Sequence, residues 1–137
     1  MSLNLNTFSI HDLSQFPFVL FRQEQAGPGY APQWETEMLA LLEHAQPFVL
    51  VYDQLRTDES HEDRKHRGLW LKHNKQALGH VCRAMISVEP NPSYRQQVQA
   101  MAEGAVKAFG IPHIAVASIT EAKAVMQRLL TGLQPVE

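Results

Sequence analysis

Cysteine is almost missing from this chain, with Cys82 standing alone among 137 residues. A single thiol cannot close an intrachain disulfide, so the disulfide-stapled secreted classes are excluded and a reducing compartment is expected. Charge of one sign is lacking too. The 12 basic and 14 acidic residues leave a formal charge of −2, too balanced a field to draw nucleic acid or an anionic membrane. No apolar run approaches the roughly 20 residues that span a bilayer. The amino terminus lacks the basic-then-apolar pattern of a secretory signal, so a cytoplasmic location is expected. Glycine is sparse, at 7 residues. Its one cluster, Gly27-Pro28-Gly29, lacks the later glycine and lysine of a phosphate cradle, and its proline removes an amide donor. No Gly-x-Ser-x-Gly elbow exists, and Cys82 lies inside an apolar run rather than at a helix start, where a thiolate would be stabilised. Covalent catalysis has no candidate, and no cofactor is expected.

What is present is an ordinary globular composition, 45% hydrophobic and 19% charged, in a length that suits one domain with one core. A single unit over residues 1–137, with its core at about 16–131, is expected. Residues 7–13 read as an edge strand and 16–21 as a second strand leading into the Gly27-Pro28-Gly29 loop. Pro32 opens a helix whose apolar face is Trp34, Met38, Leu41, Leu42 and Ala45. Pro47 stops it. Phe48-Val49-Leu50-Val51-Tyr52 is the continuous run of a strand covered on both faces. Ser60, with Asp63 three positions on, caps a helix running to Leu78, with Gly79 as its left-handed stop and Trp70, Leu71, Asn74, Ala77 and Leu78 as its stripe. Cys82, Ala84, Ile86 and Val88 alternate with other residues as a strand would. Ser93 with Gln96 caps a third helix on Tyr94, Val98, Met101, Ala102, Ala105, Val106 and Phe109. Residues 114–117 form a short strand, and Ser118 with Glu121 caps the last helix. The order ββαβαβαβα implies an α/β fold, a mixed and mostly parallel sheet of about five strands flanked by about four helices. Val49, Val51, Ile86, Val116, Val98, Val106 and Val125 occupy its inward positions. Phe16, Phe18 and Phe21 beside an edge strand would invite a second copy, so a homodimer is expected.

The titratable residues form no site by spacing alone. His61, His66 and His73 share a helix but not the three- or four-residue spacing of a metal pair, so no metal site is expected, and His66 pairs instead with Glu62. Asp58, Glu59, Glu62 and Asp63 compensate the dipole at a helix amino terminus. Trp34 and Trp70 sit at core spacing.

With that order in place, four segments carry a family likeness: the strand 48–53, the Arg67-to-Trp70 stretch, the strand ending at Val88 before Asn91 and Arg95, and the 114–122 passage. Together they resemble the SpoIIAA-like branch of the STAS superfamily, the anti-sigma-factor-antagonist fold. The resemblance implies a non-enzymatic regulatory module that binds an unidentified protein partner, with a phosphoacceptor after the central strand. The Asp-Ser-Ser-Gly segment of the regulatory members is replaced here by 53–60, leaving Ser60 and Thr57 as the candidate phosphoacceptors. As the alternative, it implies a carrier of a small apolar or amphipathic, lipid-like ligand in a cleft between a helix and the sheet. Open α/β sheets place their sites at the carboxyl ends of parallel strands. The expected binding surface is therefore Asp53, Arg56, Ser60, Asn91, Ser93 and Arg95, with Ala84 expected in the cleft.

Overall fold

The apolar run beginning at Phe48 becomes the middle strand of a five-stranded sheet, where both of its faces are covered. The computed structural model describes residues 7–54 and 59–131, without the side chains of 105–109. Strands β1 (His11–Gln15) and β2 (Phe18–Phe21) are followed by α1 (Ala31–His44), β3 (Phe48–Asp53), α2 (His61–Val81), β4 (Cys82–Val88), α3 (Pro92–Phe109), β5 (His113–Val116) and α4 (Ile119–Leu130). In space the strands keep their chain order, β1 antiparallel to β2 and the remaining neighbours parallel. The chain thus adopts the expected ββαβαβαβα order in one α/β unit. Among the described residues no helix is long and apolar enough to cross a membrane.

Strand alternation divides the core in two. Phe48, Leu50, Cys82 and Met85 join Trp34, Met38 and Leu41 of α1 and Trp70 and Leu78 of α2 on one side of the sheet. Val49, Val51, Ala84, Ile86, Val88 and Val116 form the other side, with Ala122 of α4 among them. Val49, Val51, Ile86 and Val116 are buried as expected, and Val98 and Val125 are half-buried; the side chain of Val106 lies outside the described residues.

Several local expectations need correction. Phe16 and Pro17 form a turn, with the Phe16 amide donating to the Leu13 carbonyl at 3.0 Å, so the strands are displaced from 7–13 and 16–21. Proline has no amide for the ladder. Helix α1 ends on Ala45, which takes the left-handed conformation (φ 59) two residues before Pro47. Helix α2 runs through Gly79 to Val81, because burying Leu78 and Val81 outweighs the roughly 1 kcal/mol cost of a helical glycine. Ala77, expected in the buried stripe, is exposed. Asn91, not Ser93, caps α3: its Oδ1 accepts from the Tyr94 amide at 2.9 Å, and Pro92 takes the first helical position, which needs no amide donor. The Gln99 Oε1 of α3 accepts from the Ala115 amide of β5 at 2.9 Å. Met101, about 200° around the helix from Gln99, is left 75% exposed.

The phenylalanine edge is not there either. Phe18 and Phe21 are buried, and Phe16 packs on Phe48 and His44. At the sheet margins the amides of Ser9, Ile10 and His11 donate to Glu37, as Ala115 does to Gln99. The apolar strip that argued for a second copy is covered within the chain.

Candidate functional site

Side chains of β3, β4 and β5 that point toward α1 and α2 change character near the carboxyl half of the sheet. Upstream they are apolar, Phe48, Leu50 and Cys82. Downstream they are Tyr52, Met85, Ser87 and His113, where Tyr52 lies beside Ser87 and Met85 beside His113 in parallel register. These four floor a cleft of about 230 Å³ walled by Trp34 of α1 and Arg67 and Leu71 of α2.

The walls are fixed by a clamp between the two helices. Gly29, held at φ +86, donates its amide to Asp63 Oδ2 at 2.8 Å, and Ala31 donates to Oδ1 at 3.1 Å, so a carboxylate of α2 caps the amino end of α1. Ser60 caps α2 through the Asp63 amide and donates its hydroxyl to Asp63 Oδ2 at 2.7 Å. Arg67 donates Nε and Nη2 to the two oxygens of Glu59, the latter at 2.9 Å, and Tyr30 donates its hydroxyl to the same carboxylate at 2.6 Å. The guanidinium lies 5.5 Å from the centre of the Trp34 ring, which meets Trp70 edge-on at 5.2 Å. Such contacts position a planar cation over an aromatic face.

The electrostatics follow from this packing. Burial opposes the charge on Arg67, but the Glu59 hydrogen bonds outweigh it and hold the guanidinium protonated. Burial likewise opposes the charge on Glu59, and Arg67 and Tyr30 reverse that, so its carboxyl titrates below the ordinary range. Desolvation pushes the Tyr52 phenol up to about 12, with Arg67 acting in the opposite sense. His113 donates Nδ1 to the Ile111 carbonyl at 2.7 Å, because a carbonyl can only accept; in the neutral ring Nε2 is then the acceptor. Trp34 is 2% exposed and its indole N–H has no hydrogen-bond partner among the described residues. An orphaned buried donor of this kind is uncommon.

The expected surface residues divide between two places. Asp53 pairs with Val88 in register, and Gln54 donates its amide to the Val88 carbonyl, which sets the end of β3 beside the β4–α3 turn. There the Asn91 amide donates to Glu89 Oε2, and Arg95 Nη1 donates to the Glu89 and Pro90 carbonyls at 2.9 and 3.3 Å. Ser93 is exposed in the first turn of α3. Ser60 is drawn toward the amino end of α1 through Asp63. Arg56 and Thr57 lie outside the described residues.

Other expectations change. Ala84 faces the α4 side of the sheet, not the cleft. His66 pairs with Glu35 of α1 at 2.7 Å rather than with Glu62, because α1 packs alongside. Asp63 and Glu59 bind α1 residues and Arg67 rather than merely offsetting a dipole. Cys82 is buried, and desolvation pushes its thiol up to about 12. Among the described residues no group of three or more His, Cys, Asp or Glu side chains is placed to hold a metal ion.

No local motif joins the cleft residues, because they come from five elements. The available signal was polar residues, Tyr52, Ser87 and His113, at strand positions whose period calls for apolar ones. No protein-family model, no curated protein and no solved structure matches this chain.

Proposed function

We propose that this chain is a non-enzymatic binding module that holds a small amphipathic molecule in the cleft between α2 and the sheet. The observation that carries this reading is the cleft itself: a largely apolar lining with a few convergent polar groups. Small-molecule sites have that composition. With about 230 Å³ of space, the cleft takes a small molecule or one end of a larger amphipathic one.

The test is a nuclear magnetic resonance screen of fragment-sized compounds on the intact chain and on Ser87→Phe, which fills the cleft. Perturbations concentrated on Trp34, Tyr52, Leu71, Met85 and His113, and lost in the variant, support the reading. Perturbations scattered over the surface, or unchanged in Ser87→Phe, refute it.

A second reading is a regulatory protein-binding module of the STAS, SpoIIAA-like kind. It is favoured by the sheet order β1-β2-β3-β4-β5 with only its first strand antiparallel. Its contact surface would be Asp53, Arg56, Asn91, Ser93 and Arg95. Arg56→Glu is the cleaner probe, because Arg95 also ties down the β4–α3 turn; loss of a captured partner without loss of folding is its expected result. A phosphoswitch at Ser60 fits poorly, since the added charge would meet Asp63.

A further inference from the structure

The cleft between α2 and the sheet presents more donors than acceptors, and the ligand preference this imposes rests on the cleft being the binding site proposed above. Arg67 gives Nε and Nη2 to Glu59, and among the described residues its Nη1 has no partner. Tyr52 and Ser87 add hydroxyls. Facing them are Nε2 of His113 and hydroxyl oxygens that can also donate. An ionised carboxylate only accepts, and accepts several bonds at once, so it answers such a set.

Charge limits the valence of such a ligand. Glu59 pairs with Arg67, and with Arg64 only at 4.0 Å through a side chain that is largely exposed. A dianion would leave more net charge beside the apolar walls than a monoanion, where it is costly. We propose that the cleft receives a small monocarboxylate with a compact hydrocarbon body. Its carboxylate takes the Nη1 edge of Arg67 and the Tyr52 hydroxyl, and its body lies against Leu71 and Met85.

Benzoate, benzamide and toluene share a ring and differ in charge and acceptors. Titrated into the intact chain at neutral pH, benzoate is expected to perturb the Leu71 and Met85 methyl resonances and to bind about tenfold more tightly than the other two. Tyr52→Phe, which keeps the ring packing, is expected to weaken benzoate by about threefold and leave toluene unchanged. Arg67→Lys keeps a cation for Glu59 but removes the Nη1 edge, and is expected to weaken benzoate further; if it fails to fold, Tyr52→Phe decides. Equal affinities for the three compounds would overturn the carboxylate inference while leaving the cleft a ligand site. Absence of cleft perturbations with all three would overturn both.

Discussion

The carboxylate of Glu37 on α1 and the imidazole of His11 on β1 meet at 2.9 Å in a position that solvent does not reach. The same carboxylate accepts from the amides of Ser9, Ile10 and His11 and from the Gln33 side chain. A helix is thereby tied to the outer margin of the sheet by one charged group. Burial alone would raise the Glu37 pKa, but His11, Ile10, Gln33 and Ser9 outweigh it and bring it down to about 2.

Stability therefore depends on pH through Glu37. Its folded pKa lies below the ordinary value of 4.5, so its contribution is complete above the unfolded pKa and disappears as pH falls toward the folded one. Lost in full, it amounts to about 3 kcal/mol. Denaturant midpoints measured from neutral to acid pH should fall through that window in the wild type and less steeply in Glu37→Gln. That variant should itself cost about 3 kcal/mol, since an amide cannot accept from all these donors. Parallel acid profiles would count against the assignment.

Asp63→Ala should loosen the α1–α2 junction. It removes the acceptor for the Gly29 and Ala31 amides and for the Ser60 hydroxyl, a loss of about 2 kcal/mol. Hydrogen exchange should accelerate at Gly29 and Ala31 before it does so in β3 and β4. Uniform acceleration throughout would mean that the clamp has no local role.

Ala84→Phe separates the two faces of the sheet. Ala84 is fully buried among Val49, Val51, Ile86 and Ala122, so the larger ring should cost about 1 to 3 kcal/mol by overpacking. Ligand binding in the cleft should persist under conditions where the variant stays folded. Unchanged thermal stability would place Ala84 against open space.

Cys82 should be unreactive in the native protein. Its thiol is buried and, with a pKa pushed up to about 12, holds almost no thiolate at neutral pH. A disulfide reagent such as dithionitrobenzoate should label it only after denaturant is added. Rapid labelling of the folded chain would contradict the assignment.

Much of the fold was legible because local chemistry and tertiary packing agree over most of the chain. Ser60 and Ser118 cap the helices that their spacing announces. Val49, Val51 and Ile86 are buried as strand alternation requires. The disagreements occur where a distant group supplies what local pattern lacks. Glu37 lies between Trp34 and Leu41 on the apolar face of α1, and only the backbone of residues 9–11 explains a charge there. Glu59 and Arg67 are eight residues apart, outside the three- and four-residue rules of helix pairing, because Glu59 precedes the helix and Arg67 reaches back toward its amino end. The cleft was least legible, since Trp34, Arg67, Tyr52, Ser87 and His113 become neighbours only through strand register and helix packing.

The sheet order also sets how the molecule can be made. Each strand after β1 is laid beside the one synthesised just before it, so an emerging chain never waits for a later strand to complete an earlier pair, which favours vectorial folding. The α4 side is the exception. Phe18, Val49, Val51, Ile86 and Val116 share their cluster with α4 and with no other helix among the described residues. Among the described residues that apolar face is covered only once α4 is in place, and this helix acts as the closing shutter of the sheet.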